Sequence, residues 1–337
     1  MPVVADIAHR LMAVESTSGH EQAAVAEADA ILRERGWHTQ RIDVTPDGRQ
    51  CVLAMSGDDI AVTLSTHLDT VPPYIPPRRD GDTLWGRGAC DAKGIAAAMI
   101  VAADSIRAQG IDTALLFVIG EETTHDGAHA ANAWIASHLP ARPRVLINGE
   151  PTDTTLGLGT KGAQRVILRT AGKAAHSAYP AMGHSATADL VKLLAELDGI
   201  DWPRDELLGE TTVNIGFLSG GVADNVFAPS AEARLMFRLV SSAEDLQRRV
   251  EEWVRGRASI EWGVMVPPVR LGAVDGFPTS VAAYATDVPA LGNWGTPYLL
   301  GPGSIHVAHT DREHVSIAEL ERAVESYVRL GRAIAPR

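Results

Sequence analysis

Continuous apolar runs alternate with helix-like segments in the first third of the chain. The runs at 60–66, 114–119 and 144–147 have no polar alternation, which is typical of strands buried on both faces. The segment 94–109 is rich in small apolar residues and predicts a helix, and Ser18–Glu21 has the spacing of a capping box that opens another helix through about Arg35. This alternation predicts an α/β unit whose sheet is covered by helices on both faces.

The pattern changes near residue 160, where a second set of elements begins. We predict strands at 164–170, 211–218, 231–240 and 259–266, with helices at 185–197 and 242–255. The order β-α-β-β-α-β is that of a ferredoxin-like unit. We therefore expect an inserted α+β domain at 163–268 and one discontinuous α/β domain made of 1–162 and 269–337, which ends in a helix at about 317–334.

Composition narrows the possible partners. The 337 residues include 30 basic and 42 acidic side chains, a net charge of −12, which argues against non-specific binding to nucleic acids or anionic membranes. Two cysteines, Cys51 and Cys90, cannot form a disulfide framework, and the start of the chain has no basic segment typical of a signal peptide. We expect a cytoplasmic protein without a membrane span.

Acidic residues or a histidine–acid pair follow each of the three buried runs. His67 and Asp69 come after the first, Glu121 and Glu122 after the second, and Glu150 after the third. Sites form at the carboxyl ends of parallel strands, where these side chains are expected to converge. Taken singly, each group is equally compatible with a polar loop or a solvated acidic turn.

Asp91 stands immediately before the small-residue helix, where it could simply cap that helix. A carboxylate shared by two metal ions would need a similarly fixed position. Oxygen ligands together with histidine suit zinc, cobalt or manganese, and paired metals activate water and stabilise an oxyanion. The coincidence of three acidic strand ends, rather than any one residue, predicts a metallohydrolase.

The same segments resemble the dinuclear zinc amidohydrolases, a family that includes acetylornithine deacetylase, succinyl-diaminopimelate desuccinylase, aminoacylase and carboxypeptidase G. The resemblance covers essentially the whole chain and is closest to the acetylornithine deacetylase-like branch. It implies a zinc-exopeptidase-like catalytic domain, with helices on both faces of a mixed sheet, interrupted by a lid domain that also forms a homodimer. The matching motifs, in family order, are Ser65–Pro72, Gly86–Gly94, Glu121–Glu122, Gly149–Pro151 and Gly301–His309.

The resemblance also implies a role for each residue of the catalytic domain. Asp91 would bridge two divalent ions, zinc in the first instance and cobalt as the alternative. The other metal ligands would be His67 and Glu150 at one position and Glu122 and His309 at the other. Glu121 would be the general base for a hydroxide shared by the metals, and Asp69 would orient His67.

The other histidines near these motifs must be told apart from the proposed ligands by the residues around them. By spacing alone His309 cannot be separated from its neighbours His306 and His314, and the choice depends on the Ala308–His309 context of the deacetylase-like members. His125 and His129 follow the glutamate pair in a predicted helix and are expected to lie on the surface.

The resemblance extends to the inserted domain. Ala175–Pro180 matches the lid motif, so that His176 would stabilise the oxyanion, typically in the active site of the partner subunit. The residues implied to bind the substrate, chiefly its carboxylate, are Tyr179, Asn225, Arg238 and the backbone N–H of Gly303. Arg234 lies on the same strand face as Arg238 and could be confused with it.

The function implied is hydrolysis of the amide bond of a small N-acyl amino acid, such as acetylornithine, in amino-acid biosynthesis. Succinyl-diaminopimelate and carrier-conjugated lysine or ornithine remain open as substrates. A metallo-carboxypeptidase or dipeptidase performs the same chemistry at the carbonyl carbon. A non-catalytic relative would lack a ligand or the base, and all of these residues are present.

Overall fold

The structure is a computed structural model that describes residues 3–139 and 141–335. The chain divides into two compact units. The first unit comprises Met1–Leu158, Arg270–Ser280 and Thr286–Arg337, and the second unit comprises Gly159–Val269 and Val281–Ala285. Each unit has a hydrophobic core of its own.

Both units contain α-helices. Among the described residues, no helix is both long enough and apolar enough to cross a bilayer. In chain order the helices are α1 (Val3–Met12), α2 (Gln22–Glu34), α3 (Lys93–Arg107), α4 (Asp126–His138), α5 (Ala186–Leu194), α6 (Ala243–Val254) and α7 (Ile317–Ile334).

The strands belong to one large sheet and several smaller ones. In chain order they are β1 (His38–Asp43), β2 (Gln50–Met55), β3 (Val62–His67), β4 (Arg78–Asp80), β5 (Thr83–Trp85), β6 (Thr113–Val118), β7 (Val145–Asn148), β8 (Leu156–Thr160), β9 (Gly162–Ala171), β10 (Arg204–Asp205), β11 (Gly209–Glu210), β12 (Thr212–Gly220), β13 (Ser230–Leu239), β14 (Ser259–Val266), β15 (Val269–Arg270), β16 (Thr279–Ala282), β17 (Thr296–Leu299) and β18 (His314–Ser316).

The large sheet of the first unit is mixed, in the order β1-β2-β6-β3-β7-β17-β8. Strands β6, β3, β7 and β17 are parallel neighbours, whereas β1 and β2 add an antiparallel hairpin at one side. Every residue of β3 and β6 is buried, because helices cover both faces of the sheet at its centre. The continuous apolar runs of the sequence therefore form the middle of the sheet.

The capping box predicted at Ser18–Glu21 is wrong. Helix α2 begins at Gln22, and Glu21 precedes it without making a side-chain cap. The Ser18 hydroxyl instead donates to Asp69 Oδ2 at 2.8 Å, and the Glu21 carboxylate pairs with Arg49 at 2.7 Å. Glu21 also accepts the N–H of Gly19 at 2.6 Å, but neither side chain makes the reciprocal cap that the spacing suggested.

The second unit has the element order β9-α5-β12-β13-α6-β14 around its main sheet. The strands of this sheet are antiparallel in the order β12-β13-β9-β14. Alternate residues of β13 are buried against α5 and α6, whereas β12 is exposed along most of its length. The period-two pattern of β13 is what a sheet covered on one face requires.

Candidate metal centre

Three strand ends bring ligands to one edge of the large sheet. His67 is the last residue of β3 and is paired with Val118, the last residue of β6. Glu121 and Glu122 follow β6 through Gly120, whose φ of 75° permits the sharp turn. Glu150 follows the neighbouring parallel strand β7. This convergence was expected from the sequence and follows from the parallel order of the strands.

Asp91 lies in the loop before α3 and does not cap that helix. The N-cap residue of α3 is Ala92, which makes no side-chain cap. The Asp91 carboxylate instead approaches two imidazoles, with Oδ1 at 3.0 Å from His67 Nε2 and Oδ2 at 3.2 Å from His309 Nε2. The structure therefore favours the shared-ligand interpretation of Asp91 over the helix-cap interpretation.

Two clusters of potential metal ligands share Asp91. One is His67, Asp91 and Glu150, and the other is Asp91, Glu122 and His309. Within each cluster the ligand atoms lie within 4.8 Å of one another. His309 Nε2 is also 3.0 Å from Glu122 Oε1. Each cluster thus offers three side chains that could hold one cation.

Only one of the three candidate histidines near the carboxyl terminus belongs to a ligand cluster. His309, held at a left-handed φ of 62°, joins Glu122 and Asp91. His306 is exposed, and His314 stacks on Trp85 with ring centroids 4.5 Å apart while its Nδ1 bonds to the Arg312 carbonyl. The tertiary structure thus separates three residues that sequence spacing could not.

Electrostatics at the two clusters favour bound cations. Burial, together with the neighbouring carboxylates, raises the pKa of Glu121 and Glu150 well above the usual value. Glu150 Oε1 is buried and has no hydrogen-bond partner. Crowded carboxylates with an unpartnered buried oxygen are costly unless positive charge is nearby. Oxygen and imidazole donors suit zinc, cobalt or manganese, so the residues present fit two divalent ions.

The buried carboxylate of Asp69 organises the segment that carries the glutamate pair. It accepts the backbone N–H groups of Glu121 and Glu122 at 3.1 and 3.2 Å and the hydroxyl of Ser18 at 2.8 Å. His67 Nδ1 lies 2.9 Å from the Asp69 carbonyl oxygen and 3.5 Å from its carboxylate. Asp69 therefore contacts His67 chiefly through its backbone. Ser18 was not identified from the sequence, because its capping-box spacing suggested a local role.

His125 does not lie on the surface as expected. It precedes α4 in a left-handed conformation with a φ of 55° and is half buried. Its Nδ1 is 2.8 Å from Oδ1 of the buried Asp287, a residue more than 150 positions away in the chain. His129, one turn further along α4, is exposed as predicted.

The N–H of Gly303, which was expected to bind the substrate carboxylate, has a partner within the protein. This N–H donates to Glu319 Oε1 at 2.9 Å, so it is occupied within the protein. A glycine is required here for a different reason, since its φ is 85° and a Cβ would lie 2.4 Å from the Cβ of Cys90. The position is therefore explained by close packing beside Cys90 rather than by an approaching ligand.

The remaining predicted substrate residues lie in the second unit. His176 forms a β-bridge with Val226, and the N–H of Ser177 donates to the Asn225 carbonyl at 2.9 Å. The exposed Tyr179 ring stands edge-on to His176, with centroids 6.1 Å apart. Three of the four predicted residues are thus neighbours in one exposed loop region.

Arg238 lies elsewhere in the second unit, half buried on β13 between Thr212 and Ala163. Arg234, the residue with which it could be confused, pairs with Glu232 at 2.8 Å and stacks over Phe217. These interactions engage the guanidinium of Arg234 within the sheet.

Together, a mixed α/β sheet and two ligand clusters with one shared aspartate define the first unit as a candidate dinuclear metallohydrolase. A family model described as Peptidase family M20/M25/M40 matches residues 63–333. The chain belongs to this family of metal-dependent peptidases.

Individual relatives agree with that membership. A probable carboxypeptidase of Aspergillus terreus is 38% identical over 365 residues, covering 96% of this chain and 84% of the relative. A Peptidase M20 domain-containing protein of Schizosaccharomyces pombe is 36% identical over 331 residues, covering 95% and 82%. The crystal structure of a tripeptidase from Staphylococcus aureus has a TM-score of 0.82 at 18% identity, covering 99% of this chain and 98% of that one, which shows a common fold.

Proposed function

We propose that this protein is a dinuclear metal-dependent hydrolase that cleaves the amide bond preceding a residue with a free carboxylate, as a carboxypeptidase or dipeptidase does. The observation that carries the proposal is the pair of ligand clusters sharing Asp91. Peptidase relatives that match nearly the whole chain support the peptide-bond substrate.

The ligand set is assigned as two groups of three. His67, Asp91 and Glu150 hold one ion, and Asp91, Glu122 and His309 hold the other. Zinc is the first choice of metal and cobalt the alternative. When bound, two divalent ions supply positive charge for an oxyanion and lower the pKa of water from 15.7 towards about 7.

Glu121 is the proposed general base. It follows β6 directly beside the ligand Glu122, and its backbone is fixed by Asp69. Its carboxylate takes a proton from the water that adds to the amide carbonyl carbon. As the C–N bond breaks, the same carboxyl group returns a proton to the leaving nitrogen, which departs as an amine. The raised pKa of Glu121, caused by burial and by Glu150, makes its carboxylate a stronger proton acceptor, which suits the first step.

Residues of the second unit are assigned to substrate contacts from the sequence resemblance. His176 would donate to the oxyanion, and Arg238 would bind the substrate carboxylate through two parallel N–H groups. Tyr179 and Asn225 belong to the same proposed contact set as His176, which their proximity in the exposed loop region supports.

An N-acyl amino acid, with acetylornithine as the first example, is the second candidate substrate class. The segment Gly301–His309, which resembles the deacetylase-like branch, favours it. Succinyl-diaminopimelate and carrier-conjugated lysine or ornithine fall within the same class. These compounds share with a dipeptide an amide bond next to a carboxylate, so the difference lies in the acyl group.

We also propose that the chain forms a homodimer through β12. This strand is at the edge of the sheet of the second unit and exposes Ile215, Phe217 and Leu218 by more than 40% each. An exposed apolar edge strand is a ready surface for pairing with a second strand. Pairing of β12 with its own copy would be isologous and closed, as is usual for dimers.

A substrate panel tests the proposed function. The metal-depleted enzyme should be inactive, and added zinc or cobalt should restore hydrolysis of dipeptides and of N-blocked peptides with a free carboxyl terminus. N-acetyl and N-succinyl amino acids form the second arm of the panel. Preference for this arm would favour the deacylase alternative, and activity that is unchanged after metal removal would reject both.

A further inference from the structure

The carboxylate of Glu313 contacts the backbone of the segment that carries Asp91. Its Oε1 accepts the backbone N–H groups of Cys90 and Asp91 at 3.3 and 3.2 Å. The Glu313 side chain is fully buried and is not one of the proposed metal ligands. It therefore fixes the backbone from which the shared ligand projects.

Arg87 completes this arrangement. Its Nη1 donates to Glu313 Oε2 at 2.6 Å and to the carbonyl of Thr310 at 3.2 Å, and its Nε donates to the carbonyl of Pro73 at 3.3 Å. Thr310 directly follows the ligand His309. The pair Arg87–Glu313 thus connects the loop that carries Asp91 to the loop that carries His309.

A short antiparallel ladder brings the two loops together. Strand β18 pairs with β5 so that His314 lies opposite Trp85, and the N–H of Gly86 donates to the Glu313 carbonyl at 3.1 Å. Glu313 directly precedes β18, and Arg87 lies two residues beyond the end of β5. The Arg87–Glu313 ion pair continues the contact between the two segments from the ladder to the residues beside Asp91 and His309.

The two ligand clusters differ in how much they depend on this connection. His67 is the last residue of β3, and Glu150 lies two residues beyond β7, the parallel neighbour whose hydrogen bonds hold it in register with β3. Asp91 and His309 belong to loops separated by more than 200 residues, and the His309 side chain is half exposed. Of the three ligands proposed for the position made by Asp91, Glu122 and His309, Glu122 has its backbone held by Asp69, whereas His309 depends on the connection between the two loops.

We propose that Arg87 and Glu313 form a positioning pair that sets the affinity of the metal position made by Asp91, Glu122 and His309. The inference depends on the proposed two-metal function. Residues that orient metal ligands are typically worth roughly 10–100-fold in metal affinity. A pair with a merely structural role would change the stability of the fold and leave the two metal affinities in the same ratio.

Titration of the metal-free full-length protein with Co²⁺, followed by calorimetry and visible absorption, tests this role. The variant Glu313→Asp keeps the charge opposite Arg87 and withdraws the carboxylate from the N–H of Asp91. Because Asp91 belongs to both clusters, we expect the first equivalent to weaken less than the second, which should bind roughly 10–100-fold more weakly than in the wild type. Arg87→Lys keeps the positive charge but loses the guanidinium that donates to Glu313, Thr310 and Pro73. We expect it to weaken the binding of the same metal equivalent.

Asp104→Asn is the matched control. Asp104 pairs with Arg35 at 2.6 Å near the opposite end of α3 from Asp91, so its loss removes an ion pair from the same unit without touching either cluster. This variant should bind both equivalents as the wild type does.

The outcomes separate the inference from the function on which it depends. Wild-type affinities for both equivalents in Glu313→Asp and Arg87→Lys, or an equal loss of both, would overturn the positioning role. If Glu313→Asp does not fold by circular dichroism, Arg87→Lys decides between these outcomes. Binding of a single equivalent by the wild type would instead reject the proposed dinuclear centre.

Discussion

The carboxylate of Asp69 accepts the backbone N–H of Glu121 at 3.1 Å, and the neighbouring N–H of Glu122 reaches the same carboxylate at 3.2 Å. One buried side chain thereby fixes the backbone of the proposed base and of a proposed ligand. An aspartate is suited to this position because an ionised carboxylate is an acceptor only, with capacity for several donors.

Asp69→Asn should reduce turnover more than it reduces metal binding. The amide has one acceptor oxygen in place of two, so at least one of the three donors at Asp69 is left without its partner. We expect kcat to fall roughly 10–100-fold with both metals retained. Steady-state kinetics and metal analysis check this, with Ser18→Ala as the milder control. Loss of metal without a change in kcat per loaded site would contradict the role assigned to Asp69.

Glu121→Gln should retain both metals and lose most activity. Glutamine preserves the size of the side chain but cannot take or return a proton. General acid–base catalysis contributes roughly 10²–10⁴ to the rate, and we expect kcat to fall by that factor. Turnover with the best substrate of the panel, measured beside metal stoichiometry, is the test. Near wild-type kcat would rule out Glu121 as the base.

His309→Ala should lose metal, whereas His306→Ala and His314→Ala should not. Only His309 approaches both Asp91 and Glu122. We expect the stoichiometry of the His309 variant to fall from two equivalents towards one. The other two histidines serve as controls of identical chemistry within five residues along the chain. A similar loss in all three variants would show that the segment as a whole, rather than the His309 imidazole, matters.

Removal of metal should lower the melting temperature. The clustered carboxylates repel one another, and burial raises the pKa of Glu121 and Glu150 when no cation offsets their charge. A ligand that binds only the folded state stabilises it by about 2.7 kcal/mol at a concentration of 100 times its Kd. Thermal unfolding with a chelator and then with a graded excess of zinc should show a concentration-dependent rise. An unchanged melting temperature would argue against cation binding at these clusters.

Ile215→Lys should shift the protein towards the monomer. The substitution places a charge on β12, the edge strand of the proposed dimer. Met265→Lys is the matched control, because Met265 is on the opposite edge strand β14 and both side chains are 42% exposed. Light scattering after gel filtration measures the mass of each variant. A wild-type monomer, or equal dissociation by the two variants, would refute pairing through β12.

The sequence by itself determined that the histidine and acidic residues after the buried strands lie at one edge of the sheet. Buried parallel strands have a recognisable apolar run, and the residue that follows each run must lie at the same edge of the sheet. His67, Glu122 and Glu150 could therefore be placed together from local pattern alone. The same reasoning identified the bounds of the central strands to within a residue or two, because burial on both faces leaves a strong signal.

Only the tertiary structure decided the features that depend on distant segments. In the structure, one of the three candidate histidines, His309, approaches Asp91, whose carboxylate also meets the imidazole of His67. His125 contacts the buried Asp287, and the N–H of Gly303 donates to Glu319. Each of these contacts joins side chains or backbone groups whose partners are not specified by local periodicity. A pattern in the sequence records how a segment is buried, whereas the identity of the group it meets depends on how the whole chain packs.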